Sequence, residues 1–279
     1  YYLSFAGVLN VLLNLFFVIV CKMGVAGVAV ASILSQYLSA VLILRVLFKS
    51  SAAFGLQLKE LRITPDKAGR ILKIGIPSAF QYALFAIANL FVQTGVNSFD
   101  HVMVEGNSAA ANADPLVYDM MAAFYTACSS FIAQNYGAKK SDRILKSYLI
   151  CLLYSFVVGL VLGVGLYLLR YPFLSLFTSD TTVVDAGIRR LSIMALSYSV
   201  SAFMDCTIAA SRGLGKSIVP TIVVIMGSCV FRIVWIYTIF AHFRTIQSLY
   251  LLYVFSWMIT AIAEIIYFVI VYRKVKPQA

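Results

Sequence analysis

Charged residues are scarce in this chain of 279 residues, and this scarcity excludes the commonest kinds of soluble protein. Asp, Glu, Lys and Arg make up 12% of the sequence, whereas hydrophobic residues reach 62%. A soluble domain is usually about 45–50% apolar and about 25% charged. No polar stretch is long enough to form a soluble domain with an active site. The composition therefore indicates a polytopic membrane protein.

Motifs for metal, disulfide and nucleotide chemistry are also missing. The five cysteines lie far apart, with no CxxC spacing and no histidine partner, so neither a disulfide nor a metal site is expected. Residues 212–217 resemble the end of a phosphate-binding loop, but Ala210 stands where that loop requires glycine. Neither GxSxG nor HExxH occurs. We therefore expect no enzyme activity and no bound cofactor.

Acidic residues are outnumbered by basic ones, 11 to 22, which gives a net charge of +11. The basic residues lie in short clusters between apolar runs, as expected for cytoplasmic loops that face anionic lipid. We therefore expect contact with membrane lipid and no nucleic-acid partner.

Eight apolar runs are long enough, at about 20 residues each, to cross a bilayer as helices. Loops are predicted at 49–69, at 98–111 and at 171–186, and residues 58–72 form a partly amphipathic stretch. The spans are predicted at roughly 2–20, 25–48, 70–97, 112–136, 147–170, 187–211, 217–241 and 248–272.

The distribution of Lys and Arg predicts the orientation of these spans. With the 49–69 loop in the cytoplasm, most basic residues face the cytoplasm, including Arg212 and the tail with Lys276. Arg189 and Arg190 then fall outside, and Arg232 lies within a span. The positive-inside rule favours a cytoplasmic C-terminus in the inner membrane.

A weak internal repeat suggests two lobes. Residues 10–13 align with 232–235, and residues 35–40 align with 256–261, an offset of roughly 221 residues, which is about the size of a six-helix lobe in transporters built from repeats. Chance similarity between membrane helices is the alternative. The repeat favours residues 1–48 as the last two helices of an N-lobe, 49–69 as the inter-lobe loop and 70–279 as a six-helix C-lobe.

Four groups of residues, in this order and spacing, carry a family resemblance that covers nearly the whole chain. They are residues 10–14 with 24–29 and 35–36; residues 75–79 with 97–99; Asn107 with 109–112 and 134–140; and residues 212–217 with Pro220, Arg232 and Trp235. Together they resemble the MATE (multidrug and toxic compound extrusion) family.

The resemblance implies an all-α fold of twelve membrane helices in two pseudo-symmetric lobes, of which this chain holds eight as an N-terminally truncated fragment. It also implies export of organic, often cationic, compounds by alternating access, driven by a proton or sodium gradient.

Asp205 is the first candidate for ion coupling. A carboxylate in hydrocarbon costs a few kcal/mol unless it faces a cavity or a partner. Tyr198, Ser201 and Asp205 are spaced i, i+3, i+7 and share one helix face. The family often has an acidic residue on this helix, which Asp205 matches. The alternative is a structural Asp held by a neighbouring Arg.

The fourth span offers Asp119 as the second coupling candidate, on a stripe with Thr126. Arg232 lies at a similar depth, so the alternative to a coupling role is a buried Asp119–Arg232 pair, either as a structural contact or as a gate. Glu264 lies about two turns from Arg273 and is expected to snorkel toward the cytoplasm.

The third span offers three amides, Gln81, Asn89 and Gln93, as cavity residues. Many family members have a Glu on this helix for cation binding, but none occurs here between Pro77 and Asn97. The sodium site of those members is therefore in doubt, whereas neutral amides can still line a cavity.

These observations predict a monomeric secondary transporter that exports drugs or organic cations by proton- or sodium-coupled antiport. A lipid-linked oligosaccharide flippase of the same superfold is the nearest alternative. It would carry more cationic side chains in its cavity, and only Arg232 is clearly within a span. A membrane receptor or structural protein would need a soluble ligand-binding domain, which the sequence does not show.

Overall fold

The computed structural model describes residues 1–50, 55–60 and 62–275, and none of these residues is in a strand. Eight helices are long and apolar enough to span a membrane, as predicted. In chain order they are α1 (Tyr2–Val20), α2 (Gly24–Lys49), α3 (Pro65–Val96), α4 (His101–Gly137), α5 (Ser141–Leu168), α6 (Thr181–Gly213), α7 (Ile218–Phe243) and α8 (Ile246–Val275). Residues 51–54 and 61 of the predicted loop and Lys276 of the basic tail lie outside the described residues.

The predicted loop at 98–111 is wrong, because His101–Ala111 is a helix that forms the first part of α4. Asp100 caps it by accepting a hydrogen bond from the Met103 backbone N at 2.9 Å. Gly106 explains the error: a Cβ there would lie 2.7 Å from that of Ala186. This small, polar segment therefore packs closely against α6 instead of facing water.

Helix α6 begins at Thr181, six residues earlier than predicted. Asp180 is its N-cap, and its carboxylate accepts hydrogen bonds from the backbone N and the hydroxyl of Thr182, at 2.8 and 2.7 Å. These bonds hold the pKa of the exposed Asp180 carboxyl below its usual value. The early start places Arg190 more than two turns inside α6, farther from the end of the helix than the predicted span at 187–211 put it.

The chain forms two compact units, Tyr1–Ala68 and Gly69–Ala279. In the second unit, α6 is the most buried of the eight helices and packs against α4, α5 and α8. Its polar side chains are consequently placed inside the bundle, away from lipid.

Polar contacts within each unit reveal the internal repeat in three dimensions. In the first unit, the Asn10 amide donates to the Ser35 hydroxyl at 3.0 Å. In the second, the Arg232 guanidinium donates through Nε to the Ser256 hydroxyl at 3.3 Å. These are the residues that the sequence alignment pairs, so the two helix pairs share a contact as well as a pattern.

Backbone irregularities recur at nearly the same offset, within about two residues of the alignment. Phe16–Val20 and Ile236–Phe240 are both π-helical segments that follow the aligned positions. The turn after each contains a left-handed residue, Lys22 with φ 53° and Arg244 with φ 46°. Each turn leads directly into α2 or α8. These coincidences favour an internal repeat over chance similarity, and the division into lobes at 48 and 69 stays a prediction.

Candidate functional site

A cavity of about 310 Å³ lies within the second unit. Its walls come from α3, α4, α6, α7 and α8, and they combine aromatic, amide and charged side chains. The aromatic residues are Tyr82, Phe85, Tyr118, Tyr125, Tyr253 and Trp257. The amides and charged residues are Gln81, Asn89, Asp114, Asp205, Arg212 and Arg232.

Asp205 lines this cavity and is half-buried. Arg212 lines the same cavity, and no ion pair joins it to Asp205 among the described residues. Tyr198 and Ser201 lie on the same side of α6 but are fully buried. The Ser201 hydroxyl donates to the Tyr198 carbonyl at 2.9 Å. Of the three residues on the predicted face, Asp205 therefore lines the cavity, whereas Tyr198 and Ser201 are buried behind it.

The charged network around Asp114, which lines the cavity, was missed by the sequence analysis. The Arg190 Nη2 lies 2.5 Å from the Asp114 Oδ2, and its Nη1 donates to the Asn107 carbonyl at 3.1 Å. The Tyr198 hydroxyl donates to the other Asp114 oxygen at 2.5 Å. Arg190 precedes Tyr198 by eight residues, so extending the helical periodicity of α6 toward its N-terminus would have found this network.

Arg232 is only 2% exposed and is held by neutral partners. Its Nη1 donates to the Asn89 side-chain oxygen at 3.1 Å, and its guanidinium carbon lies 4.5 Å from the Tyr253 ring centroid. Asp119 is exposed and does not contact it. The predicted Asp119–Arg232 pair is therefore wrong, and an amide from α3 takes the place of the carboxylate.

Arg212 was expected in a cytoplasmic turn, yet it belongs to the last turn of α6 and its side chain lines the cavity. Its Nη2 donates to the Gln81 side-chain oxygen at 2.7 Å. The expectation that only Arg232 is clearly within a span is therefore wrong, because Arg190 and Arg212 both belong to α6.

Several predicted residues do not meet at this cavity. Asp119 and Thr126 are exposed, and the Gln93 amide donates to the Asn97 side chain at 2.8 Å; none of the three is on the cavity wall. Glu264 does not snorkel toward the cytoplasm, because its side chain is fully buried. Within the described residues, no three His, Cys, Asp or Glu side chains are grouped closely enough to hold a metal ion.

A bundle of apolar helices around a charged, aromatic-lined cavity defines a multi-pass membrane protein with the architecture of a transporter. The sequence profile of the MatE family matches residues 77–238, which is more than half of the chain. The chain therefore belongs to the MatE family, whose matching members are transporters and not enzymes.

Curated relatives support the same family. The probable multidrug resistance protein NorM of Thermotoga maritima is 24% identical over 213 residues, which cover 72% of this chain and 43% of the relative. The probable multidrug resistance protein YpnP of Bacillus subtilis is 30% identical over 145 residues, covering 51% and 32%. An FAD transporter of Shewanella oneidensis is 24% identical, covering 59% and 36%. The chain spans less than half the length of these relatives.

Solved structures show the same fold. An outward-facing multidrug resistance MATE transporter superposes with a TM-score of 0.88 at 21% identity, covering 98% of this chain and 61% of the other. A MOP superfamily transporter from Pyrococcus furiosus superposes with a TM-score of 0.89 at 21% identity, covering 97% and 61%. The predicted all-α transporter fold is confirmed.

Proposed function

We propose that this chain is part of a secondary transporter that exports organic cations by ion-coupled antiport with alternating access, and that Asp205 is the coupling carboxylate. One observation carries the proposal. Of the two carboxylates on the cavity wall, Asp114 is paired with Arg190, whereas Asp205 forms no ion pair within the described part of the chain. Asp205 is thus the carboxylate left to bind a mobile cation.

A carboxylate in this position can couple two binding events. A low-dielectric environment favours its neutral form, and a nearby cation favours its charged form. A proton, a sodium ion or a cationic substrate at Asp205 therefore shifts the balance between two conformations of the protein. Competition for one carboxylate is the simplest basis for exchange of a proton or sodium ion against a drug.

The aromatic side chains of the cavity suit a flat organic cation. Rings of Tyr, Trp and Phe attract cations through their faces, by about 0.5–2 kcal/mol each. Tyr125 and Tyr118 lie on α4, and Trp257 lies on α8, so aromatic faces approach the cavity from separate helices. Gln81 and Asn89 are proposed to orient the arginines and to hydrogen-bond the substrate. Asp119, Gln93 and Thr126 lie off this wall, and their part in transport stays a prediction.

An organic anion is the second candidate substrate, because the cavity also holds two arginines. Arg212 and Arg232 line the cavity, and their hydrogen-bond partners there are neutral. A phosphate-bearing substrate, such as a lipid-linked oligosaccharide, would be attracted to both. The FAD transporter among the relatives, and the Pyrococcus furiosus transporter with its "reverse polarity of binding pocket", favour keeping this candidate.

The orientation proposed for the protein follows from its charge distribution. We place it in the cell's inner membrane as a monomer, with the C-terminus in the cytoplasm. The basic clusters between spans support this orientation, and the many exposed apolar side chains suit contact with lipid.

Transport in liposomes tests the proposal and separates the two substrate classes. The full-length protein is reconstituted, and either a proton or a sodium gradient is imposed with ethidium as the cationic probe and carboxyfluorescein as the anionic probe. Gradient-driven ethidium export supports the first candidate, and carboxyfluorescein export alone supports the second. The proposal fails if neither dye moves in response to either gradient.

A further inference from the structure

The guanidinium of Arg232 lies against two aromatic rings that come from two other helices. Its guanidinium carbon is 4.5 Å from the ring centroid of Tyr253 on α8 and 5.3 Å from that of Phe85 on α3. A cation within about 6 Å of a ring centroid is attracted to the face of the ring. The two rings therefore form an aromatic cation site, and Arg232 occupies it.

The contacts of Arg232 are those of a bound cation, not those of a salt bridge. No carboxylate forms an ion pair with it within the described part of the chain. Asn89 and Ser256 accept its hydrogen bonds through neutral oxygens, at 3.1 and 3.3 Å. Ring faces are also what proteins use to bind quaternary ammonium ligands. Arg232 thus stands where an organic cation would otherwise be bound.

A free cation reaches these two rings only by displacing Arg232. The residue is 2% exposed, and its hydrogen bonds tie it to α3 and α8. Because the guanidinium is attached to α7, it is present at the rings at a high effective concentration. A dissolved cation therefore competes with Arg232 at a disadvantage.

The same two rings belong to the wall of the candidate cavity. Phe85 and Tyr253 both line it, as Arg232 does. The ring centroid of Tyr253 is 5.7 Å from that of Trp257, which is 6.2 Å from that of Tyr118. Neither Trp257 nor Tyr118 has a cation stacked on its ring among the described residues. The aromatic wall is therefore occupied at Arg232 and open farther along.

We propose that Arg232 is a specificity-determining residue, because its guanidinium fills the aromatic site of Phe85 and Tyr253 and excludes small organic cations from it. Quaternary ammonium and guanidinium compounds are the ligand class concerned, since both are compact cations that bind ring faces. This inference deepens the proposed function, on which its consequence for substrate selection rests. A cationic substrate is left with the open rings and with Asp205 on the same cavity wall.

Binding of tetramethylammonium to the purified full-length protein tests the proposal, by equilibrium dialysis in a buffer without other organic cations. Arg232→Ala should raise the affinity by about thirtyfold, which corresponds to about 1 kcal/mol for each vacated ring. Methylguanidinium, which carries the group that the variant lacks, should show a similar gain. An unchanged or lower affinity for both probes would overturn the proposal.

Two further variants separate the effect of the rings from that of charge. Arg212→Ala removes a positive charge from the same cavity, but Arg212 is bound to Gln81 and is not stacked on a ring among the described residues, so the affinity should rise far less. Phe85→Leu, added to Arg232→Ala, should reduce the gain by about fivefold, because one of the two rings is lost. Equal gains at Arg212 and Arg232, or a gain that Phe85→Leu leaves intact, would mean that only charge repulsion was relieved and would contradict the proposal.

Arg232→Gln takes the place of Arg232→Ala if the alanine variant does not fold. Its amide can hydrogen-bond Asn89 and Ser256, and it removes the resident charge from the rings. The same direction of change is expected for both probes, and the absence of any gain has the same consequence.

Dye export by the full-length protein keeps this inference separate from the proposed function. Gradient-driven ethidium export, with no gain in tetramethylammonium binding on Arg232→Ala, would leave the transport proposal standing and remove the role of Arg232. The predicted gain in binding without export of any dye would do the reverse.

Discussion

The first helix pair and the last helix pair of this chain are joined at aligned positions by hydrogen bonds between different polar groups. The hydrogen bond between α1 and α2 joins Asn10 to Ser35, and the equivalent bond between α7 and α8 joins Arg232 to Ser256. Asn10 also accepts a bond from Asn14, so the first pair is held by neutral groups. The second pair contains a buried guanidinium that reaches Asn89 on α3.

The difference shows that the fold itself does not need a charge at this position. A charged side chain at the centre of a membrane helix costs about 2.5–3.5 kcal/mol on insertion scales. The first helix pair has the same π-helical segment and the same left-handed turn without any charge in its interior. We therefore propose that the buried charges of the second unit serve the cavity.

Asp114→Asn is expected to lower the free energy of unfolding most, because it breaks a charged network of the second unit. It leaves Arg190, 5% exposed, without its carboxylate partner. Removal of one partner from a buried pair costs about 3–5 kcal/mol. The free energy of unfolding, measured by denaturation in detergent micelles, should fall by that amount. Asp119→Asn, the same change at an exposed position of α4, should have almost no effect; equal losses would show that the Asp114 pair is not structural.

Alanine at the two equivalent serines gives the next largest effect. Ser256→Ala removes a hydrogen bond to a charged group, which contributes about 1.5–3 kcal/mol. Ser35→Ala removes a bond to a neutral amide, and interhelical bonds of that kind average about 0.6 kcal/mol in a membrane protein. The same denaturation assay should rank the two losses in that order. The reverse order would contradict the view that only the second helix pair is built around a charge.

The prediction of most of the fold from the sequence was possible because the apolar runs of membrane helices are long. The start of α6 was missed even though Asp180, followed by two threonines, is a recognisable cap. The polar residues 98–111 were assigned to a loop because sequence patterns do not show that α6 would cover them. The second error concerns a segment whose polar groups are satisfied by distant parts of the chain, since Asn107 is bound by Arg190 and Tyr250.

The candidate site was predicted only in part for the same reason. Asp205 follows from helical periodicity, since it shares a face with Tyr198 and Ser201. The partner of Arg232 was not predictable, because Asn89 lies 143 residues away in the sequence. The burial of Glu264 likewise depends on the packing of α8 against α6. Local patterns identify which polar residues lie in the membrane, and tertiary packing decides what they contact.

Asn14→Ile should have the smallest effect. The aligned position of the second helix pair is Ile236, so the change makes the first pair resemble the second at that point. It removes the bond from Asn14 to Asn10, together with an Asn14 oxygen that has no partner among the described residues. The unfolding free energy should change by less than about 0.6 kcal/mol. A loss comparable to that of Asp114→Asn would mean that the neutral pair is as important as the charged network.

Ethidium efflux by the Asp205→Asn variant of the full-length protein tests the central role of this carboxylate most directly. The matched control is Asp185→Asn, the same change at an exposed position of the same helix. We predict that Asp205→Asn abolishes gradient-driven efflux at normal expression, while Asp185→Asn retains it. Unchanged efflux by Asp205→Asn would contradict the assignment of Asp205 as the coupling carboxylate.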